Sequence, residues 1–329
     1  MNLADLAQQF STEEAAISFL EKSLWPDGPI CPHCGLMGEA FRVRSKPTSK
    51  NKMRPGMWKC KGCRKKFTVK IGTIFEDSHI PLRKWLLAIH LLCASKKGMS
   101  SHQIHRQLGI TYKSAWFMTH RIRHAMQEEP SEDLLSGTVE VDETYVGGKM
   151  RTGSHAVKPG ERPQDRKRAI DNKAPVVALV ERGGKVRSMH VANVTAANLK
   201  EVIRQNVEPT AHVMTDEAPL YGFVGQEFGR HSTVNHRDKE YARREDDGTV
   251  ASVNTVEGFF SLLKRGVYGS FHHISKQHLH RYLSEFDFRY NSRDVDDGER
   301  RQLAIKGVVG KRLTYYPSKT EGAADSVIG

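Results

Sequence analysis

The 329-residue sequence contains no run of eighteen apolar residues, so we expect no transmembrane helix. Its first residues, MNLADLAQQFSTEEAAISFLEKSLWP, lack the basic segment and apolar stretch of a secretory signal. Cysteine is scarce: four of the five cysteines form two CxxC pairs, which argues against a secreted disulfide scaffold. The length is enough for two or three domains, and the content of 38% hydrophobic and 27% charged residues is that of a globular protein.

Acidic residues are also in deficit. The chain has 51 lysines and arginines against 38 acids, a formal net charge of +13. Such a charge favours polyanionic partners, because neutralising phosphates releases condensed counterions. Simple solubility or attraction to an anionic membrane remain alternatives, but no amphipathic segment is rich enough in lysine and arginine to favour the membrane. The charge therefore predicts a nucleic-acid partner.

The two CxxC pairs, CPHC and CKGC, predict a metal site. Each pair brings two thiolates to one ion, and two pairs supply a tetrahedral set for Zn²⁺. The predicted ligands are Cys31, Cys34, Cys60 and Cys63. Four ligands leave no open coordination position, so this zinc is expected to be structural, with His33 a bystander. The alternative is a pair of redox dithiols. Cys93, within an apolar helical run, is expected in the core.

Residues around the pairs fit a small ribbon. Gly35 and Gly62 stand where such turns require a permissive backbone. The aromatic residues Phe41, Trp58 and Phe67 flank the turns and are expected to pack the ribbon over the metal.

A helical segment follows the ribbon. Ser100 or Ser101 can cap a short helix through Leu108, Gly109 provides a turn, and Thr111 can cap a second helix. This spacing resembles a helix-turn-helix, which binds DNA through its second helix. The candidate DNA contacts on that helix are Lys113, Arg121 and Arg123. A purely structural helical connector is the alternative.

The stretch TVEVDETYV places three acids in a predicted strand. Alternation puts Val139 and Val141 on one face and Glu140 and Asp142 on the other, while Glu143 falls on the valine side. Considered alone, the acids could be a solvated face of a sheet. The later parts of the chain favour a site instead.

Two further acids follow at defined places. Asp216 comes directly after the predicted strand AHVMT, at the kind of strand end where ligands of open sheets gather. The segment SVNTVEGFFSLLKRGVYG is predicted to be a helix with one polar and one apolar stripe. The polar stripe consists of Asn254, Glu257, Ser261 and Lys264. An ordinary amphipathic helix would show the same stripes.

Together these three acids indicate a metal-dependent nuclease site. Asp142 in a first strand, Asp216 after a fourth and Glu257 on a later helix is the arrangement of RNase H-like nucleases. Carboxylates suit Mg²⁺ or Mn²⁺. Two such ions, roughly 3.5–4 Å apart, can activate an attacking oxygen and stabilise a leaving one.

At this point the sequence resembles a family, the DDE transposases of bacterial insertion sequences with an N-terminal zinc ribbon (the ISXO-type group). The similarity covers most of residues 14–316. Its motifs are CPHCG with CKGC, VEVDETYVGGK, TDEAPLY, VNTVEGFFSLLKRGVYGSFHHISKQHLHRYLSEFDFRYNSR and KRLTYY.

The resemblance implies an RNase H-like core that cuts transposon ends and joins their 3′-hydroxyls to target DNA. It implies that Asp142 bridges two Mg²⁺ or Mn²⁺ ions, that Asp216 binds one, and that Glu257 completes the site. Lys264 matches a basic residue seven positions after the third acid. Because the family varies between Asn and Glu at the third position, Asn254 is a second candidate for it.

The resemblance also implies partners: double-stranded DNA, comprising terminal inverted repeats and target, and a homo-oligomer that synapses the ends in the bacterial cytoplasm at the nucleoid. His236 is a further candidate DNA contact or catalytic residue near the sheet. Two other functions stay open, a DNA-binding regulator derived from a transposase and a general RNase H-like nuclease.

We therefore expect a multidomain α+β and α/β protein with a zinc ribbon, a helix-turn-helix segment and an RNase H-like mixed-sheet core. The predicted parts are an N-terminal helical segment at 1–28, the zinc ribbon at 29–75, the helix-turn-helix segment at 76–130, the catalytic domain at 131–316 and a flexible tail at 317–329.

Overall fold

The computed structural model describes residues 3–44, 54–128, 133–147 and 173–314. The chain divides into two compact units. The first unit comprises Met1–Ser95, Met99–Gln127 and Val295–Gly329, and the second comprises Lys96–Gly98 and Glu128–Asp294. The predicted flexible tail and the basic segment at 151–172 lie outside the described residues.

The helices and strands are numbered in chain order. The helices are α1 Leu3–Gln9, α2 Glu13–Leu24, α3 Leu82–Ala94, α4 Ser101–Leu108, α5 Tyr112–Ala125, α6 Ala196–Asn206, α7 Val224–Glu227, α8 Asn254–Gly266, α9 Leu279–Asn291 and α10 Asp297–Lys306. The strands are β1 Ala40–Arg42, β2 Trp58–Cys60, β3 Lys66–Phe67, β4 Thr138–Val146, β5 Ala174–Glu181, β6 Val186–His190, β7 His212–Asp216, β8 Arg230–Val234, β9 Ala242–Arg244 and β10 Val250–Ser252. Within the described ranges, no helix has both the length and the hydropathy needed to cross a bilayer.

In the first unit, α4 and α5 form as their sequence predicts. Ser100 caps α4 in a capping box with Gln103, Gly109 ends the helix in the left-handed conformation with φ 57°, and Thr111 caps α5 by accepting from the Ser114 backbone N–H. The helix–glycine turn–helix geometry is thus present.

Strands β1, β2 and β3 form a three-stranded antiparallel sheet, the ribbon. Phe67 is fully buried there, and the Trp25 ring packs edge-on against both Phe67 and Trp58. Phe41, expected to pack the ribbon, is instead 45% exposed. Trp25, at the end of α2, therefore takes the packing role that the sequence assigned to Phe41.

Helix α10 packs into the first unit. Helix α10 buries Ala304 and Ile305 among the N-terminal helices, and the Arg301 guanidinium lies over the rings of Phe10 and Phe19. The predicted catalytic domain runs to residue 316, whereas the described residues from Val295 onward group with the ribbon and helices. Contacts between residues nearly 300 positions apart fix this boundary, and local sequence patterns do not report them.

The second unit is built on a five-stranded sheet of order β6-β5-β4-β7-β8. Strand β4 pairs antiparallel with β5, and β5 pairs antiparallel with β6. On its other edge β4 pairs in parallel with β7, which pairs in parallel with β8. Strand β4, which carries the acids, therefore lies at the centre of a mixed sheet.

Helices cover both faces of this sheet. Alternate β5 residues, including Ala178 and Val180, join a core with apolar residues of α8 and α9. The β4 valines Val139 and Val141 join the opposite core with α6. Because Asp142 lies opposite Ala178 in the register, the α8 face of the sheet is the one that carries Glu140 and Asp142. The predicted alternation of β4 is confirmed.

Candidate active site and metal centre

The four cysteines of the two CxxC pairs meet in the ribbon. All four Sγ atoms lie within 4.8 Å of one another, with 3.6 Å between Cys31 and Cys63 and 3.7 Å between Cys34 and Cys60. His33 lies outside this group, its Nε2 3.3 Å from the Lys66 carbonyl. Four sulfur donors in a compact set fit a structural zinc ion.

The two turns that present the cysteines reach this geometry differently. Gly35, directly after the first pair, has a φ of +72°, as expected. After the second pair it is Arg64, not Gly62, that takes the left-handed conformation, with a φ of 63°. A Cβ at Gly62 would lie 3.0 Å from the Leu36 Cδ2 atom. The absence of a side chain at Gly62 thus serves close packing and not a positive φ.

The thiols also have contrasting electrostatics. Burial raises the pKa of Cys31 to about 11, whereas the backbone N–H of Leu36 lowers the pKa of Cys34 to about 7. A bound cation favours the thiolate form of every ligand, so zinc and ionisation of the buried thiol are linked.

Asp142 and Asp216 lie on neighbouring parallel strands. The register pairs Thr138 with His212 and Glu140 with Met214, so the same offset brings Asp142 level with Asp216. Asp216 is the last residue of β7, and its Oδ1 accepts from the Ala218 N–H at 3.0 Å. Two carboxylates from distant parts of the sequence therefore reach one end of the sheet.

Glu257 approaches from α8, in the first turn of that helix, with its side chain 48% exposed. The expected apolar stripe of α8 is buried against the sheet, and the polar stripe is exposed. The pKa of Asp142 is raised to about 7, first by burial and then by the charges of Glu143, Asp216 and Glu257. Asp216 and Glu257 are thus both near enough to Asp142 for their charges to act on its carboxyl group.

An open groove of about 720 Å³ runs beside Asp142 and Glu257. Basic side chains line it alongside the acids, together with the half-exposed ring of Tyr268. The basic lining residues are Lys97, Lys264 and Arg265. A groove with carboxylates at one place and cations along its wall can accept a phosphodiester strand while holding a divalent ion.

The two other acids of β4 have partners of their own. Tyr221 donates its hydroxyl to Glu143, and burial raises the pKa of both groups. Glu140 is fully buried and forms an ion pair with Arg182, Nε to Oε1, at 2.6 Å.

Asp142, Asp216 and Glu257 form no ion pair with a lysine or arginine of the described residues. Among the ion pairs of the described residues, the one that includes any of them joins Glu257 Oε1 to His236 Nε2 at 3.8 Å. Oxygen-only donors of like charge fit Mg²⁺ or Mn²⁺. The three carboxylates do not form a closed cage. In the described part of the chain, the four cysteines are the only group of three or more histidine, cysteine, aspartate or glutamate side chains whose ligand atoms lie within 4.8 Å of one another.

The secondary candidates fall at the same site. His236 follows β8, and its backbone N–H donates to Glu217, the residue after Asp216, at 3.0 Å. This contact links the loops after β7 and β8. Asn254 is the first residue of α8 and is exposed, and Lys264 lies further along the same helix in the groove.

The structure corrects two of the three predicted DNA contacts on α5. Lys113 is exposed near the start of the helix. Arg121 is 4% exposed, and its guanidinium donates to the carbonyls of Leu313, Ile74 and Glu76.

Burial of Arg121 lowers its pKa to about 10. Arg123 is 0% exposed. Both arginines are core residues in this structure, so neither is available to DNA. Because positions two apart on a helix do not share a face, the sequence already argued that the two arginines could not both face DNA.

Two parts of the chain match known domain families. Residues 11–66 match the transposase zinc-ribbon domain, and residues 134–291 match the ISXO2-like transposase domain. The chain thus carries an ISXO2-like transposase domain preceded by a transposase zinc-ribbon domain. The first match contains the four cysteines and the second contains all three acids of the cleft.

Similar proteins agree with this assignment. An uncharacterized protein in transposable element ISH50 of Halobacterium salinarum is 28% identical over 291 residues, 85% of this chain and 91% of that protein. A transposase-like protein of Haemophilus influenzae is 29% identical over 111 residues, 34% of this chain and 85% of that protein. The Mos1 transposase paired-end complex with left transposon end covers 68% of this chain and 74% of that chain, at 13% identity and a TM-score of 0.28. Because this structural similarity is weak, the fold is assigned from the strand order alone.

Proposed function

We propose that this protein is a DNA transposase that cleaves transposon ends and transfers their 3′-hydroxyls to target DNA, using Asp142, Asp216 and Glu257. The observation that carries the proposal is the meeting of these three acids. They come from β4, β7 and α8, and burial, followed by the charges of Glu143, Asp216 and Glu257, raises the pKa of Asp142. The strand order β6-β5-β4-β7-β8, three antiparallel strands followed by two parallel ones, agrees with an RNase H-like core.

The three acids are the residues that would hold two Mg²⁺ or Mn²⁺ ions. Such ions, when bound, activate the attacking oxygen and stabilise the leaving one. The chain's own groups would hold the DNA: Lys264, Arg265 and Lys97 bind phosphates along the groove, and the exposed ring of Tyr268 offers a surface for a base. His236, beside Glu257, would contact the strand or orient that carboxylate.

The first unit would bind the DNA ends. The ribbon, the glycine-turn helix pair with exposed Lys113 and the net charge of +13 support double-stranded DNA as the partner. Joining two ends at one target requires them to be held together, so we propose a homo-oligomer assembled on DNA.

The test uses DNA carrying candidate terminal inverted repeats, Mg²⁺ and the zinc-loaded protein. The expected result is nicking at the repeat ends and joined products, both lost in Asp142→Asn. Asp246→Asn, an exposed acid in the turn between β9 and β10, is the matched control and should retain activity. Cleavage by Asp142→Asn at the wild-type rate would contradict the proposal.

Other outcomes identify the alternatives. Hydrolysis without joining on DNA that lacks repeats would indicate a general nuclease, and sequence-specific binding without cleavage would indicate a regulator. The third catalytic position is tested by Glu257→Gln beside Asn254→Ala. We expect the first to abolish cleavage and the second to retain it, because Glu257 carries the charge that acts on Asp142.

A further inference from the structure

Glu140 is an acid two residues from Asp142 on the same face of β4, and it is 0% exposed. Both of its carboxylate oxygens are engaged. Oε1 accepts from Arg182 Nε at 2.6 Å and from the Thr255 hydroxyl at 2.9 Å. Oε2 accepts from the backbone N–H groups of Thr255 at 2.7 Å and Val256 at 3.0 Å. The charge is therefore fully compensated by donors.

Those backbone donors are the first N–H groups of α8, the helix that carries Glu257. The first turn of a helix leaves its N–H groups without partners inside the helix, and a polar side chain at the N-cap usually accepts from them. Here the N-cap residue is Val253, and it makes no side-chain cap. The carboxylate of Glu140, more than 110 residues earlier in the chain, takes that place, and its negative charge also complements the helix dipole.

Arg182 extends the contact to the chain before α8. Its guanidinium donates to the Val250 carbonyl at 2.6 Å, and to the carbonyl and hydroxyl of Ser252 at 3.0 and 2.7 Å. These are residues of β10, which leads directly into α8. Glu140 and Arg182 thus fix both the start of the helix and the strand that delivers it.

We infer that the Glu140–Arg182 pair positions Glu257 against Asp142. On β4 the anchor is two residues from Asp142, and on α8 the anchored N–H groups are one and two residues before Glu257. A shift of α8 along the sheet would therefore move Glu257 away from Asp142. The inference rests on the proposed function, in which these two acids share metal.

Glu140 is not itself a metal ligand. All of its acceptor contacts go to Arg182 and the α8 terminus, and no part of the side chain faces the groove. It acts through Glu257 and is a positioning residue. The contacts that orient metal ligands, when lost, reduce metal affinity or activity about 10- to 100-fold.

The test is a double-mutant cycle on Mn²⁺ binding, measured by electron paramagnetic resonance of free Mn²⁺ with the zinc-loaded full-length protein. Glu140→Gln keeps the size of the side chain, removes its charge and places an amide donor against the helix N–H groups. We expect it to weaken Mn²⁺ binding at least 10-fold, and to lower kcat for cleavage while the KM for DNA stays unchanged. In the Glu257→Gln background, Glu140→Gln should weaken Mn²⁺ binding little further, because Glu140 acts on the metal through the Glu257 carboxylate, which is already absent.

Glu181→Gln is the matched control. Glu181 neighbours Arg182, but its carboxylate accepts from the backbone and hydroxyl of Ser136, away from α8. It should bind Mn²⁺ as the wild type does. If Glu140→Gln does not fold, Thr255→Val, which removes one donor to Glu140, should show a smaller loss of Mn²⁺ affinity in the same direction.

The outcomes separate the two proposals. If the wild type binds no Mn²⁺, or binds it no more tightly than Asp142→Asn does, the proposed function is overturned and this inference with it. Wild-type binding combined with equal binding by Glu140→Gln and Thr255→Val overturns the positioning role alone. A full, additive loss of Mn²⁺ affinity in the Glu257→Gln background would make Glu140 an independent contributor and would also overturn it.

Discussion

The carboxyl group of Asp142 changes charge near the pH at which the protein would work. Its pKa is raised from 3.8 to about 7, first by burial and then by the neighbouring charges of Glu143, Asp216 and Glu257. In the unfolded chain the same group ionises near its ordinary value. Between the two pKa values the folded state keeps a proton that the unfolded state releases, so the free energy of unfolding falls as pH rises from about 4 to 7.

This sign gives a direct prediction for Asp142→Asn, which is neutral at every pH. The pKa difference corresponds to at most about 4 kcal/mol, of which about half develops between pH 5.5 and 8.5. Because Asp142 is still partly exposed, solvent screens some of the effect. We expect the stability advantage of the variant over wild type to grow by about 1 to 2 kcal/mol between these two pH values.

The assay is urea denaturation of magnesium-free, zinc-loaded protein, followed by far-ultraviolet circular dichroism. All four tryptophans lie in the first unit, so their fluorescence does not report on the unit that contains Asp142. Asp246→Asn controls for the loss of an exposed acid and should show no pH-dependent advantage. An advantage of Asp142→Asn that is equal at pH 5.5 and 8.5, or one that shrinks with pH, would refute the reasoning.

Four further predictions concern the metal sites and α5. Mg²⁺ at pH 8 should raise the melting temperature of the wild type but not of Asp142→Asn, since only a carboxylate site that binds the ion in the folded state gains by mass action; equal shifts in both would contradict the site. Cys34→Ser should lower bound zinc, measured by plasma mass spectrometry, from about one per chain towards zero, and an unchanged zinc content would exclude the thiol as a ligand. Arg121→Met should destabilise the first unit by about 3 kcal/mol in tryptophan-monitored unfolding, because two buried carbonyls and one partly buried carbonyl lose their donor. Lys113→Glu should leave unfolding unchanged and weaken DNA binding with a reduced salt dependence, and the reverse pattern would restore Arg121 as a DNA contact.

Local patterns predicted the elements that carry the site. The alternation of β4 placed Glu140 and Asp142 on one face, and the apolar stripe of α8 placed Glu257 on its exposed side. Both predictions succeeded because burial of one face of a strand or helix imposes a period on the sequence. The caps Ser100 and Thr111 succeeded for a similar reason, since each contacts a backbone N–H three residues away.

The predictions that were wrong concerned contacts between residues far apart in the sequence, which local spacing does not reveal. Arg121 was predicted to face DNA because it is charged and lies on the second helix of the pair. Its three acceptors lie 45 to 192 residues away and make it a core residue. The return of α10 to the N-terminal helices is of the same kind, and no local pattern marked it.

The acids of β4 show how far such reasoning reaches. Periodicity separates Glu143 from Asp142 because they point to opposite faces, but it cannot separate Asp142 from Glu140, which share a face. The difference between them lies in their partners: Glu140 meets a guanidinium and a helix N-terminus, whereas Asp142 meets other carboxylates. The first environment stabilises the negative charge and the second opposes it. The strand therefore gives Glu140 a structural role and leaves Asp142 for the divalent cation that we propose.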